Sequence, residues 1–214
     1  FSTEKRTCVC SYSSSGSGVT AYIIDTGISS NSDFGVRVGQ GYDAISPTNP
    51  QQDCHGHGTH VAGTIGGAKY GVAKNVRLVA VRVLNCQGSS QGSSVIAGID
   101  WTINDFNTNG NGKAVANMSL GGGYSQALND AVSRMVKAGV VTVVAAGNSK
   151  ANASRYSPAS EPTAITVAAS DNLDRLASYS NYGQLIDVIA PGTNITSDYL
   201  NNGTATMSLS LIHI

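Results

Sequence analysis

The chain has 214 residues with a formal net charge of zero, and 41% of the residues are hydrophobic while 12% are charged. This length and hydrophobic share suit a single domain with a sizeable core and exclude a disordered chain. The balanced charge gives no basic surface for nucleic acid, and no apolar run reaches the roughly 18 residues of a membrane span. We therefore expect a globular protein without a nucleic-acid or membrane partner.

Predicted strands and helices alternate along the chain. Apolar runs predict strands at 19–24, 76–84, 114–119, 140–146, 165–168 and 185–189, and an edge strand is expected near 8–12. Helical periodicity and glycine stops predict helices at 57–65, 93–106 and 125–138. Residues 29–53 are predicted to be rich in loops. Alternating strands and helices indicate βαβ units, so the predicted fold class is α/β with a mainly parallel central sheet.

Polar residues follow three of the predicted strands directly. Asp25 ends the first strand, Ser119 to Gly121 follow a later one, and Asn148 follows the next. Ligands of open α/β sheets bind at the carboxyl ends of the strands. We therefore expect Asp25, Ser119 and Asn148 to converge on one crevice.

The most specific segment of the chain is residues 53–64, which read Asp-Cys-His-Gly-His-Gly-Thr-His-Val-Ala-Gly-Thr. His57 lies between two glycines, which allow other backbone to approach its imidazole closely. A general base must reach a nucleophile with one ring nitrogen and needs an orienting acceptor on the other. Asp25 is the candidate acceptor, because a buried carboxylate fixes the tautomer and stabilises the imidazolium.

Two other kinds of site were weighed against this interpretation. Zinc binding by Cys54, His55, His57 and His60 lacks the His-Glu-x-x-His pattern, and Asp53 is the only carboxylate close by in sequence. A nucleotide-binding domain lacks both Gly-x-Gly-x-x-Gly and a phosphate loop with lysine after the first strand. A base that acts with a carboxylate remains the leading hypothesis.

Five motifs in order resemble the subtilisin family of serine peptidases. Residues 24–28 read Ile-Asp-Thr-Gly-Ile, 57–63 read His-Gly-Thr-His-Val-Ala-Gly, and 145–148 read Ala-Ala-Gly-Asn. Ser-Leu-Gly-Gly-Gly at 119–123 and Tyr-Ser-Pro-Ala at 156–159 narrow the resemblance to the proteinase K-like, aqualysin-like branch. The resemblance covers about residues 8–208. It implies a three-layer fold with helices on both faces of the sheet, and a secreted serine endopeptidase.

The resemblance also implies roles for individual residues. Asp25 orients the base, His57 is the base, and Asn148 donates its side-chain N–H to the oxyanion. Two edges and a pocket are expected to bind a peptide substrate as an added strand, with broad specificity and a preference for apolar or aromatic groups. These residues are Gly88, Ser89, Ser90, Ser119, Leu120, Gly121, Ala145, Ala146 and Gly147.

The resemblance implies a disulfide and a calcium ion as well. Cys54 and Cys86 stand where some family members carry a bridge, and the pairing of Cys8 and Cys10 stays open. Structural calcium would be held by the backbone carbonyls of Pro162 and Ala164 and by the carboxylate of Asp187, unless Asp187 simply caps a turn. We expect no organic cofactor.

The nucleophilic serine of the family lies in a Gly-Thr-Ser-Met-Ala segment. The most similar segment of this chain is Gly-Thr-Ala-Thr-Met at 203–207. One hypothesis is a non-catalytic peptide-binding homologue with Ala205 in the nucleophile position. The favoured hypothesis places the motif beyond residue 208, because Ala205 follows the Pro191–Gly192 turn too closely for the family pattern. Residues 204–208 then form the strand that leads to the motif.

The expected organisation is an incomplete catalytic domain at 1–208, inactive without its serine although the parent protein is active. Residues 209–214 match a translation of the transposon-end adapter of sequencing libraries, so a non-native tail is expected there. No signal peptide is visible at Phe1, which suggests a mature or clipped form. The expected parent is a secreted monomer whose precursor carries an N-terminal pro-segment.

Overall fold

The computed structural model describes residues 14–46 and 52–208. The strand predicted near 8–12, Cys8, Cys10 and the tail at 209–214 lie outside the described residues. The helices are α1 (His57–Gly66), α2 (Gly92–Asn109) and α3 (Gln126–Lys137). The strands are β1 (Thr20–Asp25), β2 (Val38–Asp43), β3 (Arg77–Arg82), β4 (Ala114–Met118), β5 (Gly122–Gly123), β6 (Val141–Ala145), β7 (Tyr156–Ser157), β8 (Ile165–Ser170), β9 (Val188–Pro191), β10 (Ile195–Asp198) and β11 (Thr204–Met207).

Seven strands form one sheet in the order β2-β3-β1-β4-β6-β8-β9. Every neighbouring pair in this sheet is parallel, which confirms the predicted fold class. Thr20 of β1 pairs with Arg77 on one side and with Ala114 on the other. β1 is therefore an inner strand, and its carboxyl end opens between those of β3 and β4. Two antiparallel pairs, β5–β7 and β10–β11, lie outside this sheet.

The core has two parts because side chains of a strand alternate between the faces of the sheet. Ala21 and Ile23 pack with Val61 and Ala62 of α1 on one face. Tyr22 and Ile24 pack on the other face with residues of α2 and α3. Helices on both faces of a parallel sheet make the three layers that the family resemblance implies. All six residues of β1 are buried, as expected where both faces are covered.

Helix ends follow from local sequence signals. The hydroxyl of Ser125 accepts a hydrogen bond of 3.3 Å from the backbone N–H of Leu128 and caps α3. Gly139 follows this helix with a φ of +104°, a conformation that favours glycine. The predicted second helix, 93–106, began one residue late and ended three residues early, since α2 runs from Gly92 to Asn109.

Within residues 14–46 and 52–208, no helix is long and apolar enough to cross a membrane.

One strand was missed and another was misplaced. The segment predicted to be rich in loops at 29–53 also contains β2, whose two glycines hid it because glycine is rare in strands. A side chain on Gly41 would overlap the carbonyl of Ala80, so β2 needs that glycine to lie against β3. The strand predicted at 185–189 begins three residues later, at Val188, and ends on Pro191.

Candidate active site

Asp25 and His57 form one buried pair. Asp25 is the last residue of β1 and His57 is the first residue of α1. Their side chains meet with 2.7 Å between His57 Nδ1 and Asp25 Oδ1, and the exposed fractions are 9% for His57 and 0% for Asp25. A carboxylate only accepts, so Nδ1 carries the proton and donates. The second ring nitrogen, Nε2, is then the basic atom of a histidine that lines an open groove.

The environment of His57 works in two directions on its pKa. Burial alone would lower the pKa, because it penalises the imidazolium. The charge and the hydrogen bond of Asp25, with a smaller contribution from Asp53, outweigh burial and raise the pKa above the ordinary value. The pair therefore favours a histidine that accepts a proton readily.

Asp53 holds the segment that carries His57, and sequence reasoning missed this role. Its Oδ1 accepts from the hydroxyl of Thr26 and from the backbone N–H groups of His55 and Gly56, at 2.9, 2.9 and 2.8 Å. Its Oδ2 accepts from the N–H and the hydroxyl of Thr59 at 3.0 and 2.6 Å. A buried aspartate four residues before the candidate base was the available signal. This network fixes the start of α1 against the end of β1.

The glycines around His57 are required by close approaches of other groups. Gly56 has a φ of +97°, and a side chain there would overlap the ring of Tyr199. A side chain on Gly58 would overlap the backbone carbonyl of Gly27. Backbone approaches at Gly58, while at Gly56 it is a side chain that approaches, so the prediction that backbone comes close to the imidazole itself stays untested.

A groove with a volume of about 830 Å³ runs past His57. Its lining includes His57 and Asn148, while Asp25 lies buried behind His57. All nine residues predicted to bind substrate line this groove. They are Gly88, Ser89, Ser90, Ser119, Leu120, Gly121, Ala145, Ala146 and Gly147. The structure thus brings together residues that lie far apart in sequence, and their role in binding stays a prediction.

Asn181 shapes the loop that carries Asn148. This buried side chain donates to the carbonyl of Ala146 at 2.7 Å and accepts from the N–H groups of Ser149 and Ala151 at 2.9 and 3.0 Å. Gly147 has a φ of +100°, and a side chain there would meet the Asn181 amide at 2.5 Å. Sequence reasoning missed Asn181, because an asparagine between serine and tyrosine carries no local signal of such a role.

A disulfide joins Cys54 to Cys86, as the family resemblance implies. Cys54 is therefore not a thiolate that could bind zinc, and no three His, Cys, Asp or Glu residues within 14–46 and 52–208 cluster as metal ligands. His60 is also engaged, since its Nε2 lies 3.1 Å from the carbonyls of Ile195 and Ala205. These contacts give the zinc hypothesis no support.

The residues predicted to hold calcium lie around the start of β8. Oδ2 of Asp187 accepts from the backbone N–H of Thr166 at 2.8 Å, two residues after Ala164. Asp187 is exposed, and its backbone N–H donates to the carbonyl of Thr166 at 3.0 Å. An exposed carboxylate and two backbone carbonyls are oxygen ligands of the kind that a calcium ion takes, and calcium binding by Pro162, Ala164 and Asp187 stays a prediction.

Comparison with known proteins agrees with this geometry. The profile of the family described as Peptidase_S8, Subtilase family, matches residues 16–211. The chain belongs to the subtilase family. Among solved structures, this subtilase is similar to a cold-adapted subtilisin-like serine proteinase, with a TM-score of 0.89 and 48% sequence identity. That match covers 94% of this chain and 72% of the other.

Named relatives of this subtilase come from bacteria and fungi. An extracellular serine proteinase of Thermus sp. (strain Rt41A) is 54% identical over 93% of this chain and 48% of the relative. A subtilisin-like protease of Coccidioides posadasii (strain C735) is 54% identical over 92% of this chain and 49% of the relative. Subtilisin-like protease 6 of Trichophyton equinum is 53% identical with the same coverages. The chain thus spans about half the length of these curated relatives.

Proposed function

We propose that the protein is a serine endopeptidase in which His57 is the general base and Asp25 its orienting partner. The single observation that carries this proposal is the buried 2.7 Å contact between His57 Nδ1 and Asp25 Oδ1 beside the groove. The relatives named as serine proteinases support the same activity. Hydrolysis by a Ser-His-Asp triad requires this pair, and peptide binding alone does not.

The nucleophilic serine is proposed to lie beyond residue 208, so that residues 1–208 form only part of the catalytic domain. Support comes from the position of Ala205, the residue that the non-catalytic hypothesis places at the nucleophile position. Ala205 lies in β11 opposite Ser197, and its carbonyl accepts from His60. It does not line the groove that contains His57. A non-catalytic homologue with Ala205 as the lost nucleophile is therefore disfavoured.

In the proposed reaction, the serine oxygen attacks the peptide carbonyl carbon as its proton passes to Nε2 of His57. Asp25 stabilises the imidazolium that results. Asn148 donates to the oxyanion of the tetrahedral intermediate. His57 then gives the proton to the leaving amine, the C–N bond breaks, and an acyl-enzyme remains. Water then attacks the acyl carbon as its proton passes to His57, and His57 returns a proton to the serine oxygen. This step releases the carboxylate product and restores the serine.

The substrate is proposed to bind as an extended strand between two backbone edges, Gly88–Ser90 and Ser119–Gly121. Small side chains at Ala145, Ala146 and Gly147 leave room for a large group of the residue before the cut. Leu128 and Val95 add apolar lining to the same groove. Peptides with phenylalanine or leucine at that residue should therefore be cleaved with a higher kcat/KM than peptides with arginine.

We propose a structural calcium ion at the carbonyls of Pro162 and Ala164 and the carboxylate of Asp187. The ion would tie the turn before β8 to the residue before β9, and it would take no part in the chemistry. Adding calcium should raise the Tm of the protein, and Asp187→Asn should remove that increase. An equal rise in Tm for the Asp187→Asn variant would contradict this site.

Secretion, an N-terminal pro-segment in the precursor and a monomeric state are also proposed. The relatives include proteins named extracellular and exoprotease, which supports secretion. Cells that carry the complete gene should release the protein into the culture medium. The released protein should be shorter than its precursor and should have the mass of a monomer in solution.

Hydrolysis of a peptide by the protein made from the complete gene tests the proposed activity. We expect cleavage of an internal bond, and a loss of several orders of magnitude in kcat for His57→Ala. Gln91→Ala, an exposed change at the start of α2, serves as the matched control. No cleavage by the complete protein, or undiminished cleavage by His57→Ala, would overturn the proposal.

A further inference from the structure

Tyr199 contacts the segment that carries His57 without lining the groove. It lies in the turn between β10 and β11. Its hydroxyl donates to the backbone carbonyl of His55 at 2.7 Å. The edge of its ring lies against Gly56, where an added side chain would come within 2.7 Å of the hydroxyl oxygen. Tyr199 therefore touches the two residues that directly precede His57.

The peptide group between His55 and Gly56 is held at both of its polar atoms. Its N–H donates to Asp53 Oδ1 at 2.8 Å, and its carbonyl accepts from the hydroxyl of Tyr199. Gly56 has a φ of +97°, and glycine adopts negative and positive φ with similar ease. Without Tyr199, only Asp53 would oppose rotation of this peptide group. Rotation here would displace the imidazole of His57, because His57 is the next residue.

The backbone around Tyr199 is attached to the loop that follows β1. The carbonyl of Tyr199 accepts from Nδ2 of Asn31 at 3.3 Å. Three residues further along the hairpin turn, Oδ1 of Asn202 accepts from the backbone N–H of Ser32 at 2.8 Å. Tyr199 therefore connects the loop after β1 with the segment before α1. These two elements supply the aspartate and the histidine of the buried pair.

The hairpin that carries Tyr199 also leads toward the proposed nucleophile, since β11 ends at Met207 and the serine is proposed to lie beyond residue 208. We propose that Tyr199 is a positioning residue of the peptidase, which holds the peptide group before His57 so that the imidazole keeps its contact with Asp25. Tyr199 acts through His57 and touches neither the substrate nor the reacting atoms. This inference rests on the proposed peptidase function.

Removal of the Tyr199 hydroxyl tests this role in the complete protein. In Tyr199→Phe, kcat should fall about fivefold with little change in KM, because one ordinary hydrogen bond is lost behind the base and none is lost in the groove. Tyr199→Leu also removes the ring from Gly56 and should lower kcat further. The matched control is Tyr179→Phe, which removes a hydroxyl that donates to the carbonyl of Gly192 at 2.8 Å. This control should leave kcat and KM unchanged.

The pH dependence of kcat/KM separates positioning from a general loss of stability. Asp25 raises the pKa of His57, and neutral His57 is the catalytic form. A looser contact with Asp25 weakens this effect, so the acid limb should move to lower pH in Tyr199→Phe. A loss of stability alone lowers the amount of active protein and leaves the acid limb in place. The substitution retains the titratable groups around His57, which are Asp25, Asp53, His55 and His60.

An unchanged kcat and an unmoved acid limb in Tyr199→Phe would overturn the inference, and so would equal changes in Tyr179→Phe. An NMR titration of His57 in the complete protein needs no cleavage and keeps this outcome separate from the proposed activity. We expect the titration midpoint at lower pH in Tyr199→Phe than in the unaltered protein. This shift without any peptide cleavage would contradict the peptidase function alone, whereas cleavage without the shift would contradict the role of Tyr199 alone.

Discussion

Asp25 influences His57 through its charge as well as through its position. The carboxylate raises the pKa of a histidine whose burial would otherwise lower it. Catalysis needs neutral His57, so kcat/KM should fall as the pH drops through this raised pKa. Asp25→Asn removes the charge, and the acid limb should therefore move to lower pH while kcat/KM falls about 10⁴-fold. The pH dependence of kcat/KM measures both effects, and an acid limb that does not move would contradict this role.

The role proposed for Asn148 belongs to the transition state. Asn148 lines the groove on a loop that Asn181 braces at Ser149 and Ala151. Asn148→Ala should lower kcat by about 10²–10³ with little change in KM. Asn148→Asp, of nearly equal shape but without a donor, should lose at least as much. A raised KM with unchanged kcat would assign Asn148 to substrate binding instead.

Individual residues differ in how far the sequence could predict them. Asp25, His57 and Asn148 lie in recognisable motifs at strand or helix ends, which is why their convergence was predictable. Asp53 accepts from N–H groups only two to six residues further along the chain, so its place before His57 was a usable signal. Asn181 acts on backbone about 30 residues away in sequence, and no local pattern reveals such a partner.

At the scale of elements, His60 attaches α1 to the β10–β11 hairpin, and Asp198 of that hairpin lies near Asp33 of the loop after β1. A side chain placed on Gly67 at the end of α1 would lie 2.5 Å from Asp33 Oδ2 and 2.8 Å from Asp198 Oδ2, so the two carboxyl groups are close neighbours. Burial of Asp198, and then the charge of Asp33, raise the pKa of Asp198 to about 7, while Lys69 offsets part of this rise. The folded chain therefore keeps a proton that an unfolded aspartate, with a pKa of about 3.9, releases.

This proton makes stability depend on pH with a definite sign. The contribution is complete below about pH 4 and is lost as the pH rises through 7, because only the folded state holds the proton in that interval. Asp198→Asn should therefore be more stable than its parent at pH 8, by on the order of 1 kcal/mol, but not at pH 4. Urea unfolding in a His57→Ala background, which prevents self-digestion, measures the difference.

The matched control for this experiment is Asp130→Asn on the exposed face of α3. It should change stability by the same small amount at both pH values. An Asp198→Asn difference that does not vary between pH 4 and pH 8 would show that the two acids do not share a proton in the folded protein.

Element boundaries were less predictable than element types. The continuous apolar run of β1 and the amphipathic face of α3 identify a buried strand and a surface helix without further information. β2 has no such run, since Gly39 and Gly41 replace the side chains that would mark it, and close packing against β3 requires glycine at 41. β9 lies at Val188–Pro191 and not at the predicted 185–189, because its bounds are set by pairing with β8. Sequence periodicity carries no information about that pairing.

At the scale of the whole molecule, β9 is the last strand on its side of the sheet among residues 14–46 and 52–208, and this edge is apolar. Val188 and Ile189 of β9 are 46% and 54% exposed, and Leu176 nearby is 41% exposed. The proposal that the catalytic domain continues beyond residue 208 implies that further chain contributes to the core. A protein of residues 1–208 should therefore unfold at a lower urea concentration than the complete protein, with a smaller m-value. Equal midpoints and equal m-values would contradict a domain that extends further.

Active-site labelling tests the central claim, that Asp25 and His57 activate a serine beside this groove. The complete protein is treated with a phosphonate that reacts with activated serines, and the modified residue is identified by mass spectrometry. We expect one modified serine, in a Gly-Thr-Ser-Met-Ala segment beyond residue 208, and no modification in His57→Ala. Labelling that persists in His57→Ala, or a correctly folded complete protein that takes no label, would contradict the claim.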